Sequence, residues 1–77
     1  MTYPGKGFAT ARVVEYRQRV MIDGKERNLR CIVGPIEEAR SLMQLTMAAR
    51  PGAWLLWEKV NHALGEARYE IVMPPDE

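Results

Sequence analysis

The chain has 77 residues, 47% of them hydrophobic and 27% charged, with a formal net charge of +1. That is one small domain with the composition of a folded protein, which argues against disorder. A lone cysteine, Cys31, and a lone histidine, His62, rule out a disulfide framework and a Cys/His metal site within one chain, so neither a metal nor a cofactor is expected.

The first eight residues, MTYPGKGF, are rich in turn formers and read as a loose arm. Lys6 between two glycines is not a phosphate loop, because the spacing such loops require is missing. From residue 9 to 33 the pattern is a β-hairpin. Asp23-Gly24 suits a two-residue type I′ turn, whose central residues both need positive φ. That turn sets Ile22 against Lys25, Val20 against Arg27, Gln18 against Leu29, Tyr16 against Cys31 and Val14 against Val33. Side chains alternate across a strand. Val14, Tyr16, Val20, Ile22, Leu29, Cys31 and Val33 therefore share one side, expected to face the core. Glu15, Arg17, Arg19, Met21, Glu26, Asn28, Arg30 and Ile32 share the other, which is polar and mostly cationic.

Gly34-Pro35 ends that strand and opens a helix over 35–50. Proline suits the first helical position, and Glu37 and Glu38 complement the helix dipole. Ile36, Ala39, Met43 and Met47 form its apolar stripe, widened by Leu42 and Leu45. Pro51-Gly52 breaks the helix. A second helix is expected over 53–65, with Ala53, Leu56, Trp57, Val60, Ala63 and Leu64 in one arc and Gly65 as its stop. ARYEIVM, 67–73, alternates again and reads as a third strand, with Ala67, Tyr69, Ile71 and Met73 on its apolar side. Residues 74–77, PPDE, read as a tail. The expected fold is α+β in the order β-β-α-α-β, a three-stranded antiparallel sheet with two helices packed on one face.

The candidate functional residues follow from that placement. Trp57 falls inside the second helix's buried arc, whereas Trp54 and Leu55 fall outside it, as a partner contact would. Arg17, Arg19 and Arg30 make a cationic sheet face suited to carboxylates or phosphates. His62 reads as a surface residue and Cys31 as a core one, so no nucleophile meets a base and no catalytic residue is assigned. Glu37 and Glu38 are adjacent on a helix and do not face each other as an acid/base pair would.

Charge is uneven along the chain. Residues 1–34 carry seven Lys/Arg against three Asp/Glu, and residues 35–77 carry four against seven. The longest apolar run, AWLLW, is far short of the roughly 20 residues of a membrane span. No secretory pattern opens the chain, and one unpaired cysteine suits a reducing compartment, so the expected location is cytoplasmic. These features point to a non-catalytic protein-interaction module, not an enzyme. Small inhibitors and adaptors from phages and mobile elements, including those that act on CRISPR complexes, are of this genre. The expected partner is a protein with an acidic or mixed surface, and joining of open sheet edges in a homodimer is compatible with it. The alternative is a small nucleic-acid-binding or transcription-modulating domain that uses the cationic face.

Overall fold

The structure is a computed structural model that describes residues 12–75. The arm expected at 1–8 lies outside the described residues, as do the start of the hairpin segment and the last two positions of the tail. The elements are β1 (Val14–Ile22), β2 (Lys25–Pro35), α1 (Ile36–Ala49), β3 (Trp54–Asn61) and β4 (Glu66–Val72). They form one four-stranded sheet in the order β1-β2-β4-β3, with every neighbouring pair antiparallel. The expected three-stranded sheet with two helices is thereby corrected: the described residues hold four strands and one helix.

The hairpin forms as its sequence dictates. Asp23 and Gly24 both take positive φ, 53° and 76°, and all five expected pairs from Val14↔Val33 to Ile22↔Lys25 are present. Gly34 is needed near the other end of β2. A Cβ there would lie 3.0 Å from the Val13 Cα and 3.2 Å from the Arg12 carbonyl oxygen, so any side chain would push the backbone before β1 back by a few tenths of an ångström. Pro35 then closes the strand and serves as the helix N-cap, with Glu37 and Glu38 in the first turn. The Ile36 amide donates to the Gly65 carbonyl at 3.1 Å, which fastens the start of α1 to the β3–β4 turn.

The segment expected to be a second helix, residues 53–65, is instead strand β3 and the turn that follows it. Pro51-Gly52 makes a β-turn, with Gly52 at φ 98° and the Ala53 amide bonded to the Arg50 carbonyl at 3.0 Å. At the far end the Asn61 Oδ1 accepts from the Leu64 amide at 3.1 Å, and Gly65 takes φ 67°. Between these turns the chain pairs with β4 from Trp54↔Val72 to Asn61↔Glu66. Eight residues bounded by turns on both sides, rich in tryptophan and carrying a β-branched valine, suit a pleated surface.

The helix covers one face of the sheet. Ile32, Ala67, Tyr69, Ile71 and Met73 are buried beneath it with Ala39, and Leu42, Met43, Met47, Leu55 and Val60 pack around them. The β4 side expected to be apolar is thus the core side. The hairpin is the reverse of expectation. Ile32 pairs with Tyr69, so the helix lies on the side of β2 that carries Arg30 and Asn28. The side expected to be core is the helix-free face. There Leu29, Cys31 and Val72 form a second buried cluster, flanked by Tyr16, Val20 and Ile22.

Candidate functional site

Two strands carry the helix-free face to its edges, and a β-bulge decides what it displays. Residues 54 and 57 are an odd number of positions apart, and in a regular strand they would point to opposite faces. In β3 the register shifts between Leu55 and Trp57, so that Leu55 meets Ile71 and Trp57 meets Glu70. Leu56 is the extra residue, and the bulge returns both tryptophans to the same face. Trp54 is 42% exposed and Trp57 is 40% exposed.

The registers place the whole face on a grid. One row runs Gln18, Leu29, Val72, Trp54; the next runs Tyr16, Cys31, Glu70, Trp57; a third runs Val14, Val33, Arg68, Lys59. The centre of the grid is sealed: Leu29, Cys31 and Val72 are buried. Its two ends are open, with the tryptophans on β3 and Val14, 59% exposed, on β1. Polar bonds tie the rows together. The Arg68 guanidinium donates to the Tyr16 hydroxyl at 2.8 Å and to the Glu70 carboxylate at 3.4 Å. Burial works against the charge of Arg68, but Tyr16 and Glu70 outweigh it and hold the guanidinium pKa above its ordinary value. Burial raises the Cys31 thiol pKa, with Glu70 adding to the effect. That thiol donates to the Gln18 Oε1 at 3.5 Å. A buried, protonated thiol is not a nucleophile.

The residues singled out from the sequence fall on different surfaces. Trp54 lies on the helix-free face beside Trp57, which is not the core residue expected. Leu55 is half-buried and packs against the core under the helix, so the expected Trp54/Leu55 ridge does not exist. Arg17, Arg19 and Arg30 do gather on one side of the hairpin, with Arg17 paired directly to Arg30. That side is the helix side, beyond the reach of α1, whose main contacts are with β2 and β4. Arg30 bonds Glu15 at 2.9 Å and Arg19 bonds Glu26 at 2.9 Å. A shallow cavity of about 220 Å³ is bounded by Arg17, Arg19, Asn28, Leu29, Arg30 and Met73. The sequence singled out the arginines but missed Trp57 and Tyr16. The one available signal was that Trp54 and Trp57 are also compatible with a bulged strand between two turns.

A larger cavity of about 520 Å³ separates α1 from the start of β1, lined by Val13, Glu15, Glu37, Glu38, Ser41, Leu42 and Leu45. Its acids are largely compensated: Glu38 bonds Arg12 at 2.7 Å and Glu15 bonds Arg30. His62 is exposed in the β3–β4 turn. Among the described residues no group of three or more His, Cys, Asp or Glu is placed to hold a metal ion, and no helix is long and apolar enough to cross a membrane. Comparison with family models, curated proteins and solved structures finds no match to the chain.

Proposed function

We propose that this chain is a non-catalytic protein-interaction module that acts in the cytoplasm as an inhibitor or adaptor, docking a larger protein with its helix-free sheet face. One observation carries the proposal: Trp54 and Trp57 stand two-fifths exposed on one face of β3, on the same sheet face as the buried cluster of Leu29, Cys31 and Val72. Tryptophan, tyrosine and arginine dominate binding hot spots, and a one-sided helical layer leaves the opposite sheet face for solvent or a partner. Aromatics and cations on a sheet also serve nucleic-acid readers. Here Glu70 sits in the middle row beside Trp57, Arg68 is already engaged by Tyr16 and Glu70, and the chain as a whole carries only +1. That charge pattern suits a protein surface of mixed sign better than a phosphate backbone.

The test is affinity capture from a bacterial lysate, with and without nuclease, comparing the native chain with Trp54→Ala/Trp57→Ala and with Arg17→Glu/Arg30→Glu. We expect one protein complex to survive nuclease and to fall by at least about tenfold in the tryptophan variant, the loss of a single hot spot. Capture that disappears with nuclease and follows the arginine variant alone would replace this proposal with the nucleic-acid alternative.

A further inference from the structure

The outer edge of β1 is the longest unpaired edge among the described residues. β1 is a nine-residue strand whose register with β2 runs without interruption, and it contains no proline. The opposite edge, β3, is interrupted by its bulge. Bulges, prolines and charged side chains blunt an edge. β1 has no bulge and no proline, and its charges, Glu15, Arg17 and Arg19, disfavour any incoming strand that does not match them.

The turn fixes which backbone groups that edge offers. In a type I′ turn the Lys25 amide donates to the Ile22 carbonyl, so Ile22 and Lys25 are a hydrogen-bonded pair. Bonded and non-bonded pairs alternate along an antiparallel ladder. Val14, Tyr16, Gln18, Val20 and Ile22 therefore direct their amides to β2, and Glu15, Arg17, Arg19 and Met21 direct theirs outward. The same four residues place their side chains on the helix side, Glu15 facing α1 across the cavity between them and Arg17, Arg19 and Met21 lying farther along the strand. An incoming strand would meet Arg17 and Arg19 at alternate positions on that side. On the other side it would meet Val14, Tyr16 and Val20, of which Val14 is well exposed.

We infer that the β1 edge accepts, as a fifth strand, an extended segment of the partner protein that carries acidic residues at alternate positions opposite Arg17 and Arg19 and apolar residues between them. Charge complementarity selects this occupant. Arg17 has no acid partner among the described residues, and the Arg19–Glu26 pair is exposed on both sides, so Arg19 can turn to a new carboxylate at little cost. A second copy of this chain meets like charges when antiparallel overlap is centred on Gln18, which sets Arg17 against the partner copy's Arg19 twice. Overlap centred on Tyr16 sets Glu15 against Arg17 instead. Protection of the same amides that grows with protein concentration and without peptide would therefore assign the edge to a second copy and overturn the peptide site. Strand addition draws its affinity from main-chain hydrogen bonds and its specificity from alternate side chains, which is what this edge supplies.

The inference rests on the interaction-module proposal but uses the edge, not the tryptophan face, and the two can fail separately. The probes are three synthetic peptides: TVEVEVT, its charge reversal TVKVKVT, and the permuted TVVEEVT. Each is titrated into ¹⁵N-labelled chain. We expect saturable binding of the first, at least about tenfold tighter than the other two. Bound-state protection should appear at the amides of Glu15, Arg17, Arg19 and Met21 and be unchanged at Tyr16, Gln18 and Val20. Arg17→Glu/Arg19→Glu should invert the preference to TVKVKVT, and Trp54→Ala/Trp57→Ala should leave it unchanged. Equal binding of all three peptides, or perturbations centred on Trp54 and Trp57, would overturn the edge site. Capture lost with the tryptophan variant while no peptide binds would leave the face and remove the edge.

Discussion

Tyr69 is fully buried between β2 and β3 under the helix, paired with Ile32 and Glu58. Its ring does what a core residue must, but its hydroxyl is buried with no hydrogen-bond partner among the described residues. An unsatisfied buried hydroxyl costs about 1–3 kcal/mol. Removing it while keeping the ring should therefore help: Tyr69→Phe is expected to raise stability by about 1 kcal/mol in urea denaturation, whereas Tyr69→Ala should cost about 3–5 kcal/mol. A loss of stability in the phenylalanine variant would show that the hydroxyl is bonded after all. At this scale the sequence was informative. Alternation placed Ala67, Tyr69, Ile71 and Met73 on one side of their strand, and a tyrosine in that row had to be buried. It could not say that the ring would seal the core with its polar end unanswered, because that depends on how deep the helix sits.

The bulge in β3 is the element that gives the molecule its display face. Alternation sends Leu55 to the core under the helix and Trp54 to the face without it, and the extra residue Leu56 brings Trp57 back to the face of Trp54. Deleting Leu56 would leave Leu55 opposite Ile71 and Trp57 opposite Glu70 in regular alternation, so it should cost less than about 1 kcal/mol. Deleting Glu58 instead would make β3 regular by turning Trp57 under the helix. A shift of one residue moves a side chain to the wrong face, so that deletion should cost about 2–5 kcal/mol. Equal costs of the two deletions in urea denaturation would show that the bulge does not set the face of Trp57. The same element explains why the segment misleads a reader of the sequence. Ala53, Leu56, Trp57, Val60, Ala63 and Leu64 do lie in one helical arc, and a bulged strand spaces its tryptophans three apart as a helix does. Pairing with β4 settles the matter, and a partner strand is invisible to local periodicity. α1 was legible within a residue of its observed start because its signals, Pro35 and the first-turn glutamates, are local.

Across the whole molecule, the sheet holds two apolar clusters, one on each face, and this is why the hairpin's sides were inverted in the sequence reading. Each strand's apolar side was legible, but assigning it to the core assumed a single core. The clusters also fail to extend to the end of the hairpin. β4 pairs with β2 only as far as Leu29↔Val72, and the Met73 amide adds one bond to the Asn28 carbonyl at 2.9 Å. Beyond that point β1 and β2 continue alone through Val20↔Arg27, Met21↔Glu26 and Ile22↔Lys25, with Met21 68% exposed. A two-stranded ribbon without a third strand is marginally stable on its own, so this tip should open locally while the sheet stays folded. Native-state hydrogen exchange tests this directly. The amides of Val20, Ile22 and Arg27 are bonded across the ribbon, and that of Ile32 is directed to β4 in the middle of the sheet. The ribbon amides should exchange at least about 100-fold faster than Ile32, a difference of about 2.7 kcal/mol between local and global opening. Slow exchange throughout the tip would mean that something covers it in solution, and dependence of that protection on protein concentration would identify the cover as a second copy of the chain.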